Sequence, residues 1–149
     1  MNAFRIALIG NPNCGKTTLF NALTGSHQKV GNWPGVTVEK KIGTFTDKNR
    51  DCVIVDLPGI YSLEQDYLGL DEQIARDYLA AGEFDVILNI IDAGNLQRNL
   101  ILTQQLLELG LPVVVAVNML DVAEREGITV DTESLADHLG APVAPIIAS

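Results

Sequence analysis

The stretch Gly10-Asn11-Pro12-Asn13-Cys14-Gly15-Lys16-Thr17 decides the fold of this chain. It follows the apolar run 4–9, which predicts a buried strand, and leads into residues 16–24, which predict a helix. Glycines at both ends would let consecutive backbone N–H groups surround a phosphate at the positive end of that helix. The spacing is that of a P-loop, and the strand–loop–helix context is the one that this motif requires. The alternative is a glycine-rich turn that only caps a helix.

The side chains of the P-loop have separate predicted roles. The Lys16 ammonium would reach the β- and γ-phosphates of a nucleotide, and the Thr17 hydroxyl would coordinate Mg²⁺. Cys14 is expected to contribute mainly its backbone N–H. Nucleotide contacts are therefore predicted from Gly10, Asn11, Pro12, Asn13, Cys14, Gly15, Lys16, Thr17 and Thr18.

Further apolar runs, short and rich in β-branched residues, predict strands that are buried on both faces: 52–55, 86–91, 113–117 and 143–147. The stretches between them predict helices over 71–81, 96–109 and 132–139. This alternation predicts a doubly wound α/β fold whose sheet is mostly parallel, with helices on both faces. Residues 38–46 alternate in polarity before a turn, so we expect a hairpin and one antiparallel strand at a sheet edge. Long, functional loops are expected at 26–39 and 58–70.

The composition limits the class of protein. The chain has 149 residues, 47% of them hydrophobic, which suits one domain spanning 1–149. A formal net charge of −9 argues against nucleic acid or an anionic membrane surface as partner. The two cysteines, Cys14 and Cys52, are too few for a disulfide scaffold or a zinc site. No apolar run approaches 18 residues, so we expect this stretch not to cross a membrane. His27 and His138 are expected to face solvent.

Two short motifs add a magnesium site. Asp56-Leu57-Pro58-Gly59 follows the strand at 52–55, where the carboxylate can lie just behind the ligands of Mg²⁺ and the Gly59 N–H can meet a γ-phosphate. An ordinary Asp-Pro-Gly turn is the alternative. In the loop at 26–39, Gly35-Val36-Thr37 offers a hydroxyl that would complete the Mg²⁺ coordination only when a γ-phosphate is present. The predicted magnesium residues are thus Thr17, Thr37 and Asp56.

The stretch Asn118-Met119-Leu120-Asp121 follows the strand at 113–117 and predicts the base. The Asp121 carboxylate would accept hydrogen bonds from the N1–H and the exocyclic amine of guanine. Adenine has no donor on that edge, and a site of this kind can discriminate by roughly 10⁴. A helix N-cap at Asp121 is the alternative.

Together these motifs resemble those of the translation-factor-related GTPases. In detail the stretches 10–25, 30–39, 56–63 and 70–75 resemble the bacterial ferrous iron transport family FeoB. The resemblance implies a Ras-like G domain that binds GTP and GDP with Mg²⁺ and hydrolyses GTP as a switch. In that family the domain is followed by a small helical domain and a transmembrane permease, at the cytoplasmic side of the inner membrane. It also implies that Ala148 and Ser149 begin the loop that contacts guanine O6, with the closing helix beyond them.

The chain departs from the common GTPase pattern at two positions. Met119 replaces the usual lysine, and its flexible side chain can still cover the purine. Ile60 replaces the glutamine that orients water in many relatives, and it has no polar group to do so. Some relatives bind K⁺ through an asparagine at the position of Asn11, so we expect activation by K⁺; bracing of the P-loop by Asn11 is the alternative. The residues predicted to carry hydrolysis are Lys16, Thr37, Gly59 and Asn11.

Several alternatives remain open from sequence. A ribosome- or RNA-associated assembly GTPase shares these motifs, although such proteins usually carry basic surfaces. A nucleotide-sensing regulatory module with negligible hydrolysis is favoured by Ile60. The protein could form a homo-oligomer. Trp33, the only tryptophan, could be core or could cover a ligand or a partner.

Overall fold

The computed structural model describes residues 3–63 and 69–146. The strands are β1 (Phe4–Gly10), β2 (Gln28–Asn32), β3 (Glu39–Asp47), β4 (Arg50–Asp56), β5 (Val86–Asp92), β6 (Val113–Asn118) and β7 (Val143–Pro145). The helices are α1 (Lys16–Thr24), α2 (Leu70–Ala81), α3 (Leu96–Glu108), α4 (Leu120–Arg125) and α5 (Thr132–Leu139), with a short 3₁₀ turn at Ala93–Asn95. None of these helices has the length and hydropathy that a membrane span requires.

The sheet has seven strands in the order β2-β3-β4-β1-β5-β6-β7. The five strands from β4 to β7 are parallel, whereas β3 is antiparallel to both of its neighbours. This confirms the mostly parallel α/β sheet and the hairpin that joins β3 to β4. The edge itself is β2, in a segment predicted to be a loop. Only Val30 of β2 is a large apolar residue, and it is 60% exposed, so the sequence carries no alternation there and backbone pairing with β3 forms the strand.

The two faces of the sheet have separate apolar cores, as the alternation of side chains along β1 shows. Ala7 and Ile9 face a large core to which α2 and α3 contribute, whereas Leu8 faces a smaller core that contains Phe20 of α1. All four side chains are inaccessible to solvent. A strand that is buried on both faces reads as a continuous apolar run, and helices on both faces are thereby confirmed.

A buried polar connection links α3 to the strand that precedes the P-loop. The Thr103 hydroxyl of α3 donates to Asn89 Oδ1 on β5, and Asn89 Nδ2 donates to the carbonyl of Ile9 at 3.2 Å. Thr103, Asn89 and Ile9 are each 0% exposed. Because buried polar groups are costly unless paired, this connection fixes the position of α3 relative to the end of β1.

Candidate nucleotide-binding site

The P-loop follows β1 and opens α1 at the carboxyl ends of the parallel strands. Gly15 has φ of +96°, and a Cβ there would lie 2.1 Å from Asn118 Nδ2, so only glycine fits. Gly15 is the N-cap of α1, no side chain of the described residues caps that helix, and its first turn carries no acidic residue. The positive end of α1 is therefore directed at the loop without compensation, as phosphate binding requires.

Lys16 and Asp56, predicted from two separate motifs, meet in the structure. The Lys16 ammonium forms an ion pair and hydrogen bond with Asp56 Oδ1. Their side chains are only 12% and 10% exposed. A charge that is taken out of water is retained only with a partner, so each of these two groups depends on the other. The pair joins the start of α1 to the end of β4.

A cleft of about 610 Å³ lies over the P-loop. Most of its lining was predicted to contact nucleotide: Asn11, Pro12, Asn13, Gly15, Lys16, Thr17, Thr18, Gly59 and Met119. Gly59 packs closely on the loop, because a Cβ there would lie 3.2 Å from Pro12 N and Cα. The cleft also includes Asp71 of α2, which sequence reasoning missed. No spacing rule linked Asp71 to the P-loop, because it follows the long loop after β4.

The predicted base-recognition residues surround the start of α4, a helix that was not predicted. Asn118 is buried and its Nδ2 donates to the Cys14 carbonyl at 3.1 Å, which connects β6 to the P-loop. Met119 is the N-cap of α4, so the alternative that Asp121 caps a helix is not supported. The Asp121 side chain is 62% exposed and lies 3.7 Å from Arg125. Ala148 and Ser149 lie outside the described residues.

Asn11 has an unusual environment for an asparagine. It is 3% exposed, and neither Oδ1 nor Nδ2 has a hydrogen-bond partner among the described residues. The alternative that Asn11 braces the P-loop through hydrogen bonds therefore has no support in the structure. A buried polar group that lacks a partner costs about 1–3 kcal/mol, and a ligand of the amide oxygen would relieve the part of that cost that belongs to Oδ1. This environment fits a hard cation such as K⁺.

The loop between β2 and β3 holds Gly35, Val36 and Thr37. Thr37 is exposed, and none of the three belongs to the described lining of the cleft. Trp33, in the same loop, is buried in the core, with its ring centroid 5.8 Å from that of Tyr78 in an edge-to-face arrangement. Of the two alternatives for Trp33, the structure therefore supports a place in the core.

Two further residues near the P-loop are buried and apolar in character. Ile60 is 1% exposed, and its backbone N–H donates to the Gly10 carbonyl at 3.1 Å. Burial raises the pKa of the Cys14 thiol above its ordinary value of 9.0, and the N–H and charge of Lys16 offset only part of that effect.

His27 and His138 are exposed, and within the described residues no cluster of His, Cys, Asp and Glu could hold a metal ion.

Together the sheet order, the P-loop and the cleft define a P-loop nucleotide-binding domain of the G-protein class. The sequence model of the family "Ferrous iron transport protein B" matches residues 4–149, and the chain belongs to that family. It is 54% identical to the Fe(2+) transporter FeoB of Escherichia coli K12 and 53% identical to that of Salmonella typhimurium. Each comparison covers the whole of this chain but 20% of the relative, so the chain spans about one fifth of their length.

Solved structures show which part of the FeoB proteins this chain resembles. The cytosolic domain of Legionella pneumophila FeoB is 57% identical with a TM-score of 0.92, over 97% of this chain and 62% of that one. The G domain of Thermotoga maritima FeoB is 45% identical with a TM-score of 0.91, over 99% and 89%. A mutant Streptococcus thermophilus NFeoB bound to GDP is 52% identical with a TM-score of 0.92, over 99% and 55%. The chain thus has the fold of the FeoB G domain.

Proposed function

We propose that this domain binds GTP, hydrolyses it and acts as the nucleotide switch of a ferrous iron transporter. The observation that carries the proposal is the pairing of Lys16 with Asp56 at the base of an open P-loop cleft. A triphosphate would compete with Asp56 for the lysine, because its oxygens bring more negative charge to the same place. Asp56 would then be released to face the metal that accompanies the nucleotide.

Guanine is the base that this site would select. Asp121 is exposed at the start of α4, so its carboxylate is accessible to an incoming ligand. Its neighbour Arg125 is itself 77% exposed, and a surface pair of this kind is worth little. Replacing it by two donors of a guanine edge is therefore inexpensive, whereas adenine would leave the carboxylate unpaired. Met119 lines the cleft and would cover one face of the purine. GDP-bound relatives support a guanine nucleotide as ligand.

The residues for Mg²⁺ fit that ion by chemistry and, in part, by position. Thr17 lines the cleft, and Asp56 contacts Lys16, which also lines it; hydroxyl and carboxylate oxygens are ligands that suit Mg²⁺. Thr37 would join them from the loop between β2 and β3. Bound Mg²⁺ would offset the charge that builds up on the phosphates during transfer. Lys16 and the Gly59 N–H would position the terminal phosphate.

Water activation is the step for which the chain supplies the fewest groups. Ile60 is buried and its N–H is already donated to the Gly10 carbonyl, so neither its side chain nor its N–H is available to orient water. Asn11, with its unpaired amide, is the residue that fits K⁺, and bound K⁺ would add positive charge between the β- and γ-phosphates. The burial of Ile60 equally favours a second candidate, a nucleotide-sensing module with negligible hydrolysis.

The remainder of the proposal concerns the intact protein. The relatives are Fe(2+) transporters five times longer than this chain, which fits a G domain covalently linked to helical and membrane domains. We place the domain at the cytoplasmic side of the bacterial inner membrane on that ground. A net charge of −9 disfavours an RNA-associated role.

Nucleotide selectivity tests the proposal. Fluorescent GDP bound to the domain should be displaced by GTP and GDP at micromolar concentrations or below, and by ATP only at concentrations at least about 100-fold higher. Asp121→Asn should weaken GDP binding and favour xanthosine diphosphate, because the amide presents a donor where guanine also has one. Glu124→Gln serves as control, because it also replaces a carboxylate by an amide on the same helix. Equal displacement by ATP and GTP would contradict the guanine assignment.

A further inference from the structure

Residues 61–63, directly after Gly59 and Ile60, are held by two side chains of α3. The Arg98 guanidinium lies 3.9 Å from the centroid of the Tyr61 ring, within the distance of a cation–π contact. Gln105 Oε1 accepts the backbone N–H of Leu63 at 2.6 Å, and Gln105 Nε2 donates to Ser62 Oγ at 2.7 Å. One amide side chain thus bonds two consecutive residues of this segment.

Arg98 and Gln105 are two helical turns apart, so they lie on the same face of α3. That helix is itself fixed: Thr103 bonds Asn89 on β5, and Asn99 Oδ1 accepts the Asp92 N–H at 3.1 Å. Helix α3 is thus hydrogen-bonded to β5 and, through Asn89, to β1. Arg98 and Gln105 hold residues 61–63 against this fixed helix.

The contact of Arg98 with Tyr61 also closes one side of a polar cavity of about 210 Å³ behind the P-loop. Its lining joins the loop to α3: Asn11, Pro12, Asn13, Cys14, Tyr61, Asp92, Asn95, Arg98 and Asn99. Asn11 lines both this cavity and the nucleotide cleft. A shift of Tyr61 would therefore open the space behind Asn11 as well as the path of the chain after Gly59.

We propose that Arg98 and Gln105 are positioning residues, which hold residues 61–63 on α3 and so keep the Gly59 N–H in place for a γ-phosphate. This inference rests on the proposed GTP-dependent function. Gly59 packs on Pro12, and Ile60 bonds Gly10, so the chain is fixed to the P-loop before residue 61 and to α3 after it. Without the α3 contacts only the first attachment remains. GDP has no γ-phosphate, so its binding does not depend on this geometry.

The test compares Arg98→Ala and Gln105→Ala with two control variants. Gln104→Ala removes an exposed amide of the same helix, and Arg50→Ala removes the guanidinium that lies 4.5 Å over the Phe4 ring at the far end of the sheet. Each positioning variant should weaken a non-hydrolysable GTP analogue and lower kcat by about fivefold. GDP affinity should stay within about twofold, as it should for the controls.

Two further comparisons distinguish a positioning role from a merely structural one. The first is rescue by a conservative substitution of Tyr61, and the second is the effect of combining two substitutions. Tyr61→Phe keeps the ring and should retain the GTP-analogue affinity, whereas Tyr61→Ala should weaken it about fivefold, as Arg98→Ala does. Tyr61→Ala added to Arg98→Ala should cause little further loss, since both remove one contact. If Arg98→Ala and Gln105→Ala weaken GDP and the analogue equally, or leave both unchanged, the proposal is overturned.

Amide exchange measured without nucleotide distinguishes a failure of this proposal from a failure of the proposed GTP-dependent function. The Leu63 amide should exchange at least about tenfold faster in Gln105→Ala than in Gln104→Ala, because its acceptor has been removed. Unchanged exchange would refute the contact with α3 even in an active GTPase. If Gln105→Ala exchanges faster but the unsubstituted domain does not bind GTP, the contact of Gln105 with Leu63 is confirmed and the proposed function is wrong.

Discussion

At the scale of single residues, the cleft is set by side chains from distant motifs that touch. Asn118, at the end of β6, bonds the Cys14 carbonyl and leaves room only for glycine at position 15. Lys16, at the start of α1, pairs with Asp56 at the end of β4. Each contact joins a residue chosen from one motif to a residue chosen from another. The P-loop is therefore shaped by the neighbouring strands as much as by its own glycines.

Asn11 leads to a prediction about monovalent cations. If its unpaired amide oxygen binds K⁺, turnover of GTP should be about tenfold or more faster in K⁺ than in Na⁺ at equal ionic strength. Asn11→Ala should remove that difference and leave GDP affinity largely unchanged. Phosphate release in the two salts measures this. Equal rates in the unsubstituted domain would contradict a role for K⁺.

Cys14 leads to a prediction about pH. Burial raises the pKa of its thiol above 9.0, so the thiolate is disfavoured in the folded domain and becomes abundant only at a higher pH than in a free cysteine. In a Cys52→Ser variant, which leaves Cys14 as the only thiol, the rate of alkylation by iodoacetamide should rise with a midpoint above pH 9.0. A midpoint below that value would show that Lys16, not burial, controls the thiol.

At the scale of elements, the loop between β2 and β3 is where a switch would operate. Its base is fixed by the Trp33 ring in the core and by the Trp33 backbone N–H, which donates to the Val38 carbonyl at 2.9 Å. Thr37, between these two residues, is exposed. Val36 packs against the core and its backbone N–H donates to the Trp33 carbonyl at 3.2 Å, so Thr37 is the exposed polar side chain at the end of a packed turn.

Within residues 31–39, the turn around Thr37 should be more protected from amide exchange when the domain binds a GTP analogue with Mg²⁺ than when it binds GDP. Thr37 would gain its partners only when the metal and a γ-phosphate are both present. Thr37→Ala should spare GDP binding and reduce hydrolysis by about tenfold or more. Thr44→Ala on β3 provides a comparison. Identical exchange in the two nucleotide states would argue against the switch.

Strong local patterns made most elements predictable from sequence. The five parallel strands carry continuous apolar runs because both of their faces are buried, and α3 carries leucine at helical spacing. Strand β2 has one exposed valine and exists through backbone pairing with β3, which no side-chain pattern reveals. Helix α4 is only six residues long, and Asp71 reaches the cleft through a tertiary path. Side-chain chemistry fixed the P-loop residues, but the contacts of Arg98 and Gln105 depend on where α3 lies.

At the scale of the whole molecule, the net charge of the chain opposes the binding of an anion. A net charge of −9 surrounds a site that must bind an anion, so affinity has to come from the local groups of the P-loop. The buried connection from Thr103 through Asn89 to Ile9 relates α3 to that loop.

Phosphate release from GTP and from ATP at equal concentration, with Mg²⁺ and K⁺, shows whether this domain turns over GTP. Release from GTP should be steady, release from ATP should be slower by at least about 100-fold, and both should be lost with Lys16→Ala. Equal release from ATP would contradict the assignment of Asp121. Release from GTP no faster than in Lys16→Ala would contradict hydrolysis itself and favour a domain that only senses nucleotide.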